Sequence, residues 1–270
     1  MNKSGVKIEH TFAICAYKES PYLEQCILSL KEQSIKSEII IATSTPNDFI
    51  KNMAEKYQIP YYINPGEGGI TQDWNFAYSC TKTKYVTIAH QDDIYEKDYL
   101  RTGIHCLNKS KRPLIFFCDY YEIREGQRVD KNRLLTIKRI MLFPLRKTAF
   151  RSNIWIRRRI LSLGSPICCP SVMFARENLP KVVFKNRFRA CEDWEAWEMI
   201  SKIPGEFVYS TNILMGHRIH AGSETSAIIG DNMRSKEEYQ MYCKFWPKFI
   251  AKLLVNVYAL GQKSNQLADR

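Results

Sequence analysis

The chain has no run of about 18 apolar residues, the length that a membrane-spanning helix needs. Its opening residues, from Met1 to His10, lack the apolar core of a secretory leader, which predicts a protein that stays in the cytoplasm. No Cys-x-x-Cys pair occurs, so a structural zinc site is not expected. The nine cysteines are an odd number without paired spacing, and most sit among apolar neighbours. They read as reduced packing residues rather than as a disulfide framework. Internal repeats, low-complexity tracts and linkers are missing too. One further absence is local. From Lys131 to Arg176 there is no Asp or Glu, against eleven Lys and Arg. Taking those eleven from the net charge of +12 leaves about +1 for the remainder, so the basicity belongs to one segment.

What is present suits one large domain or two small ones: 270 residues, 45% of them hydrophobic, supply a substantial core. The first half alternates two kinds of apolar pattern. Short β-branched or apolar runs at 11–15, 38–42, 60–63 and 84–89 read as strands, and helical spacing separates them. Ser20-Pro21 and Asn47-Asp48 open two of the helices, and residues 70–81 suit a third. Four strands alternating with three helices predict an α/β fold, a mostly parallel sheet flanked by helices with right-handed crossovers. Ligands of such sheets bind beyond the carboxyl ends of the strands. Tyr17, Thr43, the loop Asn64–Gly69 and His90–Asp93 all fall there.

The second half is less regular. Strands are predicted at 114–118, 171–175 and 207–214, and a basic amphipathic helical stretch over 132–162, interrupted at Pro144. A helix over 191–202 carries Glu192 and Asp193, and Gly216–His220 follows the last strand, ahead of a polar loop. A terminal helix over 232–258 bends at Pro247.

The stretch His90-Gln91-Asp92-Asp93 sets two adjacent carboxylates at the end of a buried strand. Either they cap the following helix, or they hold a hard divalent cation, which takes one or two carboxylates and completes its shell with phosphate and water. Asp73-Trp74-Asn75 precedes them, with His90 fifteen residues after Asn75. In order and spacing this set resembles the family 2 glycosyltransferases of the GT-A fold, whose members read A-R-N and, fifteen residues later, D-x-D-D. Here His90 replaces the first acid. The resemblance covers residues 10–108 and reappears at Glu192-Asp193-Trp194 and near His220.

That resemblance implies a single GT-A-like domain over 1–270. Its nucleotide-sugar half would be 10–110 and its acceptor half 111–230, with a basic helical insertion at 131–163 and a helical segment over 231–270. It implies a divalent cation, Mn²⁺ or Mg²⁺, on Asp92, with His90 and His220 as further ligands. Asp93 would support the site or the donor sugar, and His90 would contact the metal or the donor ribose. An imidazole must be neutral to bind metal, so weaker binding in mild acid follows. Tyr17 matches the aromatic against the nucleotide base; Glu19 would bond base or ribose, or favour the neighbouring helix terminus. Thr43 and Ser44 stand where the family has acids, and their hydroxyls still suit a uracil or thymine edge, favouring a UDP- or dTDP-sugar. Asn64, Gly68, Gly69 and Asn75 would border the donor, and Arg218 would face the diphosphate. Asp193, with Glu192 second, would be the general base of a single inverting displacement.

Within 137–147 apolar and cationic residues interleave as on an interfacial helix. An anionic membrane surface presenting a lipid-linked glycan acceptor would suit 131–163, placing the protein at the inner face of the cell membrane in surface-polysaccharide synthesis. Nucleic acid attracts the same charges, but no nucleic-acid-reading motif occurs; a solvated surface without a partner is the third reading. The alternative to an enzyme is a non-catalytic protein that kept the fold and binds membrane or an anionic polymer, with Thr43, Ser44 and His90 as its support.

Overall fold

The computed structural model describes residues 8–220 and 233–256. Strand β1 (His10–Cys15), helix α1 (Leu23–Lys31), β2 (Glu38–Thr43), α2 (Asp48–Tyr57), β3 (Tyr61–Ile63), α3 (Ile70–Ser79) and β4 (Tyr85–His90) follow one another as the alternating pattern predicts. Local chemistry sets several boundaries. The Asn47 side chain accepts a hydrogen bond from the Ile50 amide at 2.9 Å, capping α2, and Gln58 ends it in a left-handed conformation.

With β5 (Ile94–Tyr95), β6 (Pro113–Arg124), β7 (Gln127–Val129), β8 (Met173–Ala175) and β9 (Glu206–Ile219), nine strands form one sheet among the described residues, in the order β3-β2-β1-β4-β8-β6-β9-β5, with β7 on the flank of β6. Strands β1 to β4 pair in parallel, while β8 (Met173–Ala175) runs antiparallel between β4 and β6. The long pair of β6 and β9 (Glu206–Ile219) is parallel again, so β1, β2, β3, β4, β6 and β9 all end at the same edge. Side-chain alternation gives each face its own core. Phe12 and Ile14 of β1 pack on one side with α1, α2 and α4 (Tyr99–Lys109), and Ala13 on the other with α3 and α8 (Glu192–Ile200).

Three differences from the sequence pattern have physical reasons. Strand β9 continues through Gly216–Ile219 because β6 pairs with that whole stretch and the two-residue strand β5 (Ile94–Tyr95) pairs with Met215 and Gly216, which local pattern alone does not register. The basic stretch breaks at Pro144 as predicted, and more finely: α5 (Arg133–Leu142), a 3₁₀ turn at Phe143–Arg146, α6 (Thr148–Arg151) and α7 (Ile154–Ile160). The terminal helix divides before Pro247 into Met233–Tyr242 and a second piece over 248–256. The polar loop expected after His220 and the end of the terminal helix lie outside the described residues.

The acid-free segment also finds acids from elsewhere in the chain. Arg157 is fully buried, donating to the Ile203 carbonyl at 2.9 Å with its guanidinium over Phe207. Arg158 pairs with Glu198 on α8, and Arg139 lies 3.2 Å from Asp119. Several of its cations therefore hold the fold together, and the segment is less of an open basic surface than its sequence suggests.

Candidate active site

The carboxyl ends of β4 and β9 meet at the acid pair. Asp93 is 0% exposed, and its Oδ1 accepts from the Arg218 amide at 2.9 Å and lies 3.1 Å from His217 Nδ1. Asp92 Oδ2 lies 2.9 Å from His220 Nε2, and the Asp92 carbonyl accepts from Arg218 Nε at 2.9 Å. Neither acid is spent on capping: α4 begins at Tyr99, after Asp98, beyond β5. The helix-cap alternative is thus set aside by position.

Among the described residues, one group of His, Cys, Asp and Glu side chains could share an ion: His90, Asp92 and Asp93, whose ligand atoms lie within 4.8 Å of one another. Two atoms of this trio, His90 Nε2 and Asp93 Oδ2, are buried without a hydrogen-bond partner. A buried polar atom without a partner is costly, and a cation beside Asp93 Oδ2 would give that oxygen one. The residues therefore fit a divalent ion. The sequence reading gave the third ligand place to His220; the structure puts Asp93 in the trio and sets His220 one hydrogen bond further out, on Asp92. Burial pulls His90 below the ordinary imidazole pKa despite the nearby charges of Asp93 and Asp92, which keeps the ring neutral and able to ligate. Burial pulls His217 the same way, but the Asp93 charge and hydrogen bond outweigh it and leave it raised.

Asp193 enters from α8. Its Oδ1 accepts from the Trp194 amide at 2.6 Å and its Oδ2 from Ser165 Oγ at 3.3 Å. Burial raises its pKa, only partly offset by those bonds and the charge of Lys138. Its charge acts on His90, and Cys168 feels both Asp93 and Asp193, so the two acids border one region. Glu192, its neighbour, is buried at the start of α8.

The loops at the other strand ends are tied to one another. Tyr17, 45% exposed after β1, has its backbone clamped by Gln91, whose amide donates to the Tyr17 carbonyl at 2.9 Å and whose Oε1 accepts from the Tyr17 amide at 3.0 Å. Glu19 is exposed beside it. Lys18 is held at φ 53° while its amide donates to Thr45 Oγ1 at 2.7 Å, a left-handed backbone kept by its surroundings. Asp73 is the hub of the next loop: it accepts from Ser44 Oγ at 2.7 Å, from Asn64 Nδ2 at 2.9 Å and from the Gly69 amide at 3.4 Å. A Cβ on Gly68 would stand 2.9 Å from Ser44 Oγ, so any larger residue there would push Ser44 from its place against Asp73.

Three donor-side expectations are redirected. Thr43 is buried, its hydroxyl accepting from the Thr45 amide at 3.0 Å, so it is turned into its own loop rather than toward a base. Asn75 donates to the Phe184 carbonyl at 2.7 Å and accepts from the Val183 and Phe184 amides, which ties α3 to that segment. Arg218, 7% exposed, holds the Asp92 carbonyl, donates to Gln25 at 2.6 Å and stacks on Tyr22, so its charge lies behind the acids. Sequence reasoning missed Gln91, Asp73, Trp74 and Lys138. Trp74 stacks on His90 with centroids 5.2 Å apart; Lys138, whose charge reaches both Asp193 and His217, was lost in the count of a basic segment.

A parallel sheet that ends in an acid pair, with one antiparallel strand inserted beside it and a helix-borne acid opposite, is the GT-A arrangement of nucleotide-sugar transferases, and solved structures agree. S. aureus TarS residues 1–349, in complex with UDP-GlcNAc, superposes with a TM-score of 0.63 at 13% identity, covering 92% of this chain and 70% of that one. The mannosyltransferase PcManGT from Pyrobaculum calidifontis, in complex with GDP-Man and Mn²⁺, gives 0.65 at 15% identity over 98% and 75%. The family model for Glycosyl transferase family 2 matches residues 11–177, and the chain belongs to that family. It is a glycosyltransferase. Uncharacterized glycosyltransferases of Rickettsia prowazekii and Rickettsia typhi are 24% and 23% identical to it, each covering 89% of this chain and 71% of their own length.

Proposed function

We propose that the protein transfers a sugar from a nucleoside-diphosphate sugar to a hydroxyl acceptor with inversion at the anomeric carbon. The observation that carries this is the pair of unpartnered atoms, His90 Nε2 and Asp93 Oδ2, in a region that Asp193 also borders. His90, Asp92 and Asp93 would hold a divalent cation, which when bound neutralises charge on the departing diphosphate. Asp193 takes the proton of the acceptor hydroxyl as the oxygen–carbon bond forms and the bond to the diphosphate breaks. Its raised pKa makes it a stronger base than an ordinary carboxylate. Tyr17 offers an exposed ring face to the base, Lys138 supplies positive charge beside the acids, and His217 lies within hydrogen-bonding distance of Asp93.

The acceptor is a lipid-linked glycan at the cytoplasmic membrane face, in surface-polysaccharide synthesis. Ile137, Ile140, Phe143, Ile154, Trp155 and Leu163 are all exposed large apolar side chains, and each stands within the acid-free segment beside Lys131, Arg133, Arg146, Lys147 or Arg159. Exposed apolar groups among cations suit an anionic leaflet.

The test is a screen of UDP-, dTDP- and GDP-sugars for thermal stabilisation in Mn²⁺, followed by transfer assays with the stabilising donor. A folded protein that gains no stability from any nucleotide sugar, with or without cation, would end this reading.

A further inference from the structure

The attachment proposed above is diffuse, a matter of exposed apolar groups among cations, but one cavity in the same segment is built more selectively. We propose that the cleft lined by Lys131, Arg139 and Arg146 binds the phosphodiester of a single phospholipid with a hydroxylated, glycerol-type headgroup. The inference rests on reading this segment as membrane-facing.

Thr136, Arg139, Ile140 and Phe143 recur at intervals of three and four residues, which sets them on one side of α5 and the 3₁₀ turn that continues it. With Lys131 and Arg146 they line an open cavity of about 360 Å³, the size of a small-ligand site. Among the described residues no acid lines it. The acids nearby are engaged: the Asp130 carboxylate pairs with Arg128 at 2.9 Å, and Asp119 lies 3.2 Å from Arg139 Nε and accepts from the Tyr209 hydroxyl. Arg139 is thereby fixed in place, and its two terminal nitrogens donate to the Asp130 and Tyr120 carbonyls at 2.8 Å and 3.0 Å. Each of those nitrogens keeps a second N–H for a ligand. Lys131 and Arg146 are exposed, and neither carries an ion pair among the described residues; the Arg146 guanidinium lies over the Phe143 ring at 5.3 Å.

The lining then selects its ligand. Three cations against the one acid behind Arg139 leave a positive excess, and guanidinium N–H groups meet phosphate oxygens in strong, charge-assisted hydrogen bonds. A choline or ethanolamine head would bring its own ammonium among these cations, whereas a glycerol head brings hydroxyls. Thr136 Oγ1 donates its proton to the Asn132 carbonyl at 2.7 Å, so the oxygen is left to accept from such a hydroxyl. Ile140 and Phe143, 67% and 58% exposed, give the first carbons of the acyl chains an apolar surface to lie on. A free phosphate would use the cations and leave both side chains in water.

Dihexanoyl-phosphatidylglycerol, used below its micelle concentration, offers the headgroup without a membrane surface. Titrated into the intact protein in a calorimeter, it should saturate at one molecule per chain. Dihexanoyl-phosphatidylcholine should not bind over the same range, and inorganic phosphate should bind about tenfold more weakly or worse. Lys131→Gln with Arg146→Gln should weaken the lipid on the order of tenfold or more. Arg133→Gln with Lys147→Gln removes the same charge from exposed positions outside the cavity, and should leave binding within about twofold because salt screens such distant charges. Equal losses in the two double variants would mean diffuse attraction, and phosphate binding as tightly as the lipid would mean a free-anion site; either overturns the inference. If the first double variant does not fold, the contrast among the three ligands on wild type decides alone. If the short-chain lipid does not bind while phosphatidylglycerol vesicles still sediment the protein, only this site fails; if neither binds, the membrane part of the proposed function fails with it.

Discussion

Asp92 Oδ2 and His220 Nε2 lie 2.9 Å apart although 128 residues separate them in sequence. The contact joins the end of β4 to the end of β9 and leaves the other Asp92 oxygen for a ligand. Asp92→Asn keeps the shape and removes the charge. Asp92 is partly exposed, so the variant should fold, with a melting temperature within a few degrees of wild type. Sugar transfer should fall about 100-fold or more, given the charge stabilisation a lost ligand carries, and Mn²⁺ should no longer raise thermal stability with nucleotide present. Wild-type turnover in the variant would exclude Asp92 from the reaction.

The base makes a separate prediction through its proton. Burial raises the Asp193 pKa, with the Trp194 amide and Ser165 hydroxyl pulling it partly back. A base works only when deprotonated, so activity is present above that pKa and fades as pH falls through it. The acid limb of the rate profile should therefore lie above the usual carboxylate range. Ser165→Ala removes one of the groups that hold the pKa down, so the limb should move to higher pH still while the plateau changes little. Asp193→Asn should cost about 10²–10⁴ in turnover, the range of a general base, with donor binding retained. A Ser165→Ala limb that moves toward lower pH would contradict the assignment.

How much of this was legible in the sequence depends on whether the signal was local. The βαβ half was, because strand and helix periods and caps such as Asn47 act within a few residues. The acid pair was legible as an unusual juxtaposition, and the strand-end rule placed it correctly at the sheet edge. What could not be read was where each side chain turns. Thr43 and Asn75 stand at the expected positions, yet their polar atoms close onto Thr45 and the 183–184 backbone. Arg218 looked like a cation for phosphate because its partners, Gln25 and Tyr22, lie almost the whole chain away. Counting charges in one segment likewise could not reveal that Arg158 would meet Glu198.

That distinction separates two sets of substitutions in the basic segment. Trp155, 65% exposed, together with Ile140 and Phe143, should govern attachment to anionic vesicles; replacing all three with Ser should weaken sedimentation with phosphatidylglycerol vesicles while leaving the melting temperature nearly unchanged. Arg157 should behave in the opposite way. Arg157→Ala removes a fully buried side chain and should cost about 2–4 kcal/mol of stability, by analogy with other large-to-small core changes, without a specific effect on vesicles. Retention of the triple Ser variant on vesicles at the wild-type level would remove the membrane from the proposed function.

His10 offers a test of stability that is independent of the site. Its ring is fully buried at the start of β1, bonded to Ser37 Oγ at 2.8 Å and Thr87 Oγ1 at 3.0 Å and packed edge-on to Phe12. Both partners are neutral hydroxyls, so nothing compensates a charge, and burial lowers its pKa from 6.5 to about 3. The unfolded chain takes up a proton below the ordinary histidine value while the folded one does not. Its contribution to stability is therefore intact above pH 6.5 and declines as pH falls toward 3, by up to about 1.4 kcal/mol per pH unit. Urea unfolding at pH 7.5 and pH 5 should show wild type losing about 2 kcal/mol more between those conditions than His10→Gln does. The Gln variant can be less stable at both values, since it disturbs the Ser37 and Thr87 bonds, but the pH-dependent part should vanish with the imidazole. Equal slopes in the two proteins would mean that His10 is not held neutral by the fold.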